Sequence, residues 1–237
     1  MRSASPSGLR ARGIRSITAL VLGLAALLAP ALAHAHPHIW IQQAVRAVVT
    51  DGKYTHVELE WRFDPFASEI EIPAIDENKD GRFSAQEIKL LNDDMMPELK
   101  NFGFMTWLNV GAKDVRPAKP PVFTARIEDP ASFTLPDWDR SAGDTSGTPM
   151  PPNKRVDEPS GPRKTGPRNL VYVMRFELPQ PTKFFSVTTF DPDDFIRIEV
   201  DRKSVPAGCT LAKHPTYKAE FVRGYPVPAD VVTCRLP

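Results

Sequence analysis

HIWIQQAVRAVVT at positions 38–50, Asp51-Gly52, and THVELEWRF at positions 55–63 decide the fold. Apolar and polar residues alternate in both runs, the pattern of strands with one buried face. The Asp-Gly pair between them is a two-residue hairpin signal, because both residues tolerate positive φ. Strand character returns at 104–110, 122–127, 170–178, 183–190, 195–200 and 217–222. Between the hairpin and these runs, Ile88, Leu91, Met95 and Leu99 recur at helical spacing within 85–102. About eight strands around one helical insertion give a β-rich α+β fold, sandwich-like in its layering.

Two regions stand outside that series. Positions 139–168 are rich in Pro, Gly, Ser and charge, a composition that cannot bury enough surface to order itself. A flexible loop is expected there, interrupting one domain rather than separating two. Positions 1–35 read as an export signal: Arg2, Arg10, Arg12 and Arg15 form a basic start, 17–33 is apolar with a break at Pro30, and Ala33-His34-Ala35 is a small-x-small cleavage site. The expected mature chain, 36–237, is a single periplasmic domain with no transmembrane segment. A net charge of +1 with scattered basic residues argues against a nucleic-acid partner. The two cysteines, Cys209 and Cys234, are expected to form a disulfide in an exported chain.

The strongest chemical pattern is the run from Asp76 to Glu87, Asp-Glu-Asn-Lys-Asp-Gly-Arg-Phe-Ser-Ala-Gln-Glu. It has the spacing of a 12-residue EF-hand loop. Asp76, Asn78 and Asp80 supply side-chain oxygens, Arg82 a backbone carbonyl, Ser84 a water-holding position, and Glu87 two carboxylate oxygens, with Gly81 at the sharp turn. Ser84 and Glu87 also form a capping box for the following helix. An acidic surface turn is the plainer reading of the same residues. Pro73, just upstream, predicts a short or irregular entering helix. A single loop without a partner hand suits a fixed structural Ca²⁺ site rather than a switch.

His36-Pro37-His38 would begin the mature chain. Cleavage after Ala35 exposes an α-amine beside two imidazoles, donors that suit Ni²⁺, Co²⁺, Zn²⁺ or Cu²⁺ rather than Ca²⁺. Pro37 has no amide proton to lose, which removes the common amino-terminal copper/nickel chelate. A further ligand would come from His56, Asp191, Asp193, Asp194 or His214, among which spacing does not choose. Asp191-Pro192 is equally an ordinary turn initiator between two strands. Met95, Met96, Met105 and Met174 read as core filler, as do Trp40, Trp61 and Trp107. Ser186 and Ser204 lack nucleophile-elbow glycines, so a serine hydrolase has no support.

His36-Pro-His-Ile-Trp40, Trp61-Arg-Phe-Asp-Pro-Phe66, the 76–87 loop, Thr189-Phe-Asp-Pro-Asp-Asp-Phe195 and the cysteine-bearing terminus together resemble an uncharacterised bacterial family of exported proteins. That family is described as the periplasmic component of an ABC-type transport system, and its genes are often found beside nickel/cobalt transporters. The resemblance implies a periplasmic accessory to transition-metal transport with an inner-membrane metal transporter as partner. By position it marks His36, His38 and Asp191 as site residues. Three functions follow as expectations. The first is a non-enzymatic metal-binding accessory with a structural calcium site. The second is a copper redox enzyme using its amino-terminal histidine. The third is a calcium-stabilised interaction module.

Overall fold

The computed structural model describes residues 39–111, 114–129, 132–133, 168–192, 195–222 and 225–237, all within the unit Ala35–Pro237. The expected hairpin is present: β1 (Ile39–Thr50) and β2 (Lys53–Phe63) run antiparallel, with Ile41 opposite Phe63 and Thr50 opposite Lys53. Asp51 and Gly52 take φ of 51° and 69°, the turn whose twist matches the flanking strands. Ile41, Gln43 and Val45 of β1 face the core opposite Phe63, Trp61 and Leu59 of β2. Gln43 is polar and 1% exposed. It is accommodated because its Oε1 accepts the Trp61 Nε1–H at 2.8 Å, so neither buried polar group is left unpaired.

The chain continues through α1 (Pro65–Ile75), α2 (Ala85–Asn101), β3 (Thr106–Asn109), β4 (Asp114–Val115), β5 (Val122–Glu128), β6 (Asn169–Thr182), β7 (Phe184–Thr189), β8 (Ile196–Val200), β9 (Cys209–Val222) and β10 (Tyr225–Arg235). Two five-stranded sheets result, in the orders β5-β6-β2-β1-β8 and β4-β3-β7-β10-β9. Both line one core: Val45, Leu59, Trp61 and Phe176 from the first sheet join Leu108, Phe185, Val187 and Val232 from the second. Tyr54 and Phe185 meet edge-to-face across it, with ring centroids 4.9 Å apart. The β-rich, sandwich-like expectation holds at this level.

The strand count differs. The described residues hold ten strands rather than about eight. The added ones are the short β4 and the long β10, and β9 begins at Cys209, before the expected 217. Proline hid them. Pro226 and Pro228 lie where the β10–β9 register shifts, and Pro215 sits in β9, at a sheet edge, which are the places where a strand tolerates a residue without an N–H. The entering helix also differs from expectation: α1 is an 11-residue helix that contains Pro73. Asp64 caps it, Pro65 starts it, and Pro73 forfeits one hydrogen bond in the last turn only.

Cys209 and Cys234 form the disulfide and stand directly opposite each other in the β9–β10 register. They are 25 residues apart in sequence, so the chain-entropy model assigns the bond about 3.5 kcal/mol. A double Cys→Ser variant should lose about that much unfolding free energy in urea. A loss below about 1 kcal/mol would show that restriction of the unfolded chain is not how the bond acts. The expected flexible loop lies outside the described residues except for Arg168, as do the export signal, His36 and His38.

Candidate functional site

The run from Asp76 to Glu87 joins α1 to α2. Asp76 is the residue that ends α1, and Ser84 starts α2 with both halves of the expected capping box. Inside the loop the carboxylates face backbone. Asp76 accepts from the Asp80 N–H at 3.2 Å through Oδ1 and from the Gly81 N–H at 3.0 Å through Oδ2. Glu87 accepts from the Asn78 N–H at 3.4 Å and the Ser84 N–H at 2.8 Å through its two oxygens. Asn78 Oδ1 accepts from the Asp80 N–H at 2.9 Å. The turn needs φ of 82° at Gly81, where any other residue would be strained.

Asp76 and Glu87 are 5% and 6% exposed. Neither forms an ion pair among the described residues. Two buried carboxylates on one loop without a cation are an arrangement that a bound cation would stabilise. The donors are hard oxygens, which fits Ca²⁺. The fit is incomplete at Asp80, whose Oδ1 accepts from the Arg82 N–H at 2.8 Å and whose Oδ2 accepts from Asn78 Nδ2 at 3.2 Å. Accordingly, no three His, Cys, Asp or Glu side chains among the described residues converge as a metal cluster.

The Glu87 carboxyl is held below its ordinary value of 4.5, first by the Ser84 backbone N–H and then by the Ser84 hydroxyl. A carboxyl lowered in the fold stabilises it above the unfolded-chain value and loses that contribution as pH falls through the folded value. Unfolding free energy should therefore fall on acidification to below the usual carboxylate range, and Glu87→Gln should remove part of that slope. Equal slopes in urea titrations of the two proteins would overturn this assignment.

Asp191 occupies a turn, as its sequence suggested. It is 4% exposed, and its Oδ2 accepts from the N–H groups of Phe195 and Ile196 at 2.9 and 3.0 Å. That turn leads into β8, which pairs parallel to β1 with Ile196 opposite Ile39. Asp191 thus bonds the residue, Ile196, that pairs with the first described residue of β1. Asp193 and Asp194 lie outside the described residues. His56 is elsewhere: it pairs with Val48, nine residues along β1 from Ile39, about 30 Å at strand rise. His214 has both ring nitrogens engaged, Nδ1 accepting from the Thr216 and Tyr217 N–H groups at 3.1 and 3.0 Å and Nε2 facing Asp114 at 3.5 Å. Its ring stacks on Tyr217 at 4.1 Å. Both are therefore poorly disposed to complete a set with the amino-terminal histidines.

The sequence reading passed over Asp64. It is 7% exposed, caps α1 through the Ala67 N–H at 2.9 Å, and accepts the Trp40 N–H at 2.7 Å. The signal was present: Phe-Asp-Pro occurs at 63–65 and again at 190–192.

Compared with known proteins, residues 21–227 match a family model described as a protein of unknown function, DUF1007. No curated protein matches the chain. No solved structure matches it either.

Proposed function

The chain belongs to the DUF1007 family of proteins of unknown function, and we propose that it is a periplasmic, non-enzymatic metal-binding accessory protein of a nickel/cobalt-type transport system, stabilised by one Ca²⁺; its own residues support the calcium site, and the resemblance given above supports the transport role. The observation that carries the calcium part of this reading is the pair of buried carboxylates, Asp76 and Glu87, on a loop with EF-hand spacing and with no basic side chain paired to either among the described residues. Asp76, Asn78, Asp80, the Arg82 carbonyl, Ser84 and Glu87 would hold the ion. The helix–loop–helix frame of α1 and α2 supports it.

The transition ion would be held by His36 and His38 with Asp191. His38 precedes Ile39 in the chain, and Ile39 pairs with Ile196, whose N–H donates to Asp191. The copper redox reading needs a third histidine, and the distance to His56 and the engaged nitrogens of His214 count against it. The interaction-module reading draws on Phe66 and Ile70, 68% and 56% exposed one helical turn apart on α1. Among the described residues no helix is long and apolar enough to cross a membrane, so the inner-membrane transporter would be a separate chain.

Native mass spectrometry of protein recovered from the periplasm tests this. The expected result is a chain starting at His36 that binds one Ca²⁺ and, independently, one Ni²⁺, Co²⁺, Zn²⁺ or Cu²⁺. A chain with another start that binds only Ca²⁺ would sink the transport reading and leave the interaction module. Failure to bind Ca²⁺ would sink the loop assignment.

A further inference from the structure

α1 reads PFASEIEIPAI, apolar at most of its positions. Ala67, Ser68 and Ile72 are buried, and Ser68 Oγ accepts the Leu170 N–H of β6 at 2.9 Å. Phe66, Ile70, Pro73 and Ala74 are exposed at i, i+4, i+7 and i+8, which makes one apolar ridge along the other side of the helix. A helix that is apolar all round is normally covered all round, yet this one is covered on a single side by the described residues. The other large apolar side chains that stand exposed, Val49, Leu90, Phe102, Val122 and Phe195, are not paired at helical spacing, and singly they need no explanation. The charge beside the ridge has one sign. Glu69 and Glu71 are the only charged residues of α1, and no basic residue occurs from Pro65 to Asn78. From Asp64 to Asn101, ten carboxylates stand against four basic side chains, a formal net of −6 in a chain of +1.

We propose that the exposed ridge of α1 is a docking surface for a basic amphipathic helix of a partner protein, with the partner's apolar face on Phe66 and Ile70 and its Lys or Arg side chains over the acidic rim. The charge selects this occupant. A second copy of α1 would bring like charges together, which an interface disfavours. Helices that lie on a bilayer carry Lys and Arg on their polar face, and anionic headgroups would be repelled here. A cationic helix gains from both features, because Phe66 and Ile70 stand one turn apart, the spacing of the ridges that two packed helices interdigitate. A Ca²⁺ ion in the loop would bring the net to −4 and keep its sign, so the surface depends on neither metal site.

A synthetic helix of about 18 residues, built from Leu and Lys alone with the leucines on one face, is the probe. Fluorescence anisotropy against the mature protein should show saturable binding that weakens with added salt. Phe66→Ser combined with Ile70→Ser should weaken it at least about tenfold, and Glu71→Lys should weaken it as well. The same helix with Glu in place of Lys should not bind. Phe66 and Ile70 are exposed, so the double variant should keep the wild-type circular dichroism; should it fail to fold, Phe66→Gln decides by the same titration. Absence of binding by the Leu/Lys helix overturns the proposal, and so does binding that the ridge substitutions leave unchanged. A dimer in sedimentation that Phe66→Ser dissolves would assign the ridge to a second copy. Flotation with phosphatidylglycerol vesicles that Phe66→Ser abolishes would assign it to a membrane. Either of these results overturns the proposal too.

Discussion

Trp61→Ala is expected to cost about 5 kcal/mol of unfolding free energy, enough to leave about half the population unfolded if total stability lies at the low end of the ordinary range of about 5–15 kcal/mol. Trp61 is 2% exposed in the middle of the buried hairpin face. Removing a buried indole leaves a cavity, worth about 3–5 kcal/mol by itself. A second loss adds to it, because Gln43, 1% exposed, would keep its Oε1 in the core without the indole N–H that satisfies it. That desolvated acceptor costs about 1–3 kcal/mol. Trp61→Phe weights the loss toward the second term, since it keeps a six-membered ring in the core while removing the donor. Adding Gln43→Leu to Trp61→Phe should then recover stability, because both partners become apolar. With the Gln43→Leu single variant, the wild type, Trp61→Phe and the double variant form a double-mutant cycle readable by urea unfolding. Strictly additive losses would show that the Trp61–Gln43 bond carries no coupling energy.

Glu87→Gln is expected to reduce Ca²⁺ affinity on the order of a hundredfold, about 2.7 kcal/mol. Glutamine keeps one oxygen and serves in a capping box nearly as well as glutamate, so α2 should still start at Ser84. What is lost is a charge and one of the two oxygens that the last loop position offers a calcium ion. The comparison therefore separates ion binding from helix stability. Without added calcium the variant should lose only the stability that the ionised Glu87 gives by accepting from the Asn78 and Ser84 N–H groups. Saturating Ca²⁺ should stabilise the wild type by about 2.7 kcal/mol at one hundred times its Kd and the variant by far less. Equal calcium affinities by isothermal titration would remove Glu87 from the ion's shell, and the EF-hand reading with it.

Much of the fold was legible because the determining patterns are local. The Asp51-Gly52 turn and the period-two alternation on either side specify the hairpin and its register, since a slip of one residue would send Trp61, Leu59 and Val57 to the wrong face. The capping box of Ser84 and Glu87 lies within four residues and fixes the start of α2. The loop spacing is equally local. β10 was not legible, because its prolines are tolerated only through register shifts that depend on β9. α1 survives Pro73 for a reason also outside the helix: Ala67, Ser68 and Ile72 are buried against the sheet, and Ser68 Oγ accepts the Leu170 N–H at 2.9 Å. Tertiary packing outweighs the missing hydrogen bond.

The site shows the same division. Sequence alone determined the donor types and their spacing at 76–87, the imidazoles at His36 and His38, and the two cysteines, because side-chain chemistry and short-range geometry are carried by the residues themselves. Only the tertiary structure decided what lies beside what. It put His56 on β2, opposite Val48 near the far end of β1, engaged both nitrogens of His214, bonded Asp64 to Trp40 of β1, and bonded Asp191 to Ile196 of the strand that pairs with β1 on its other side. Sheet order sets those neighbours, and sheet order depends on pairings between distant strands such as β1 with β8, whose energy comes from burying their faces in a common core.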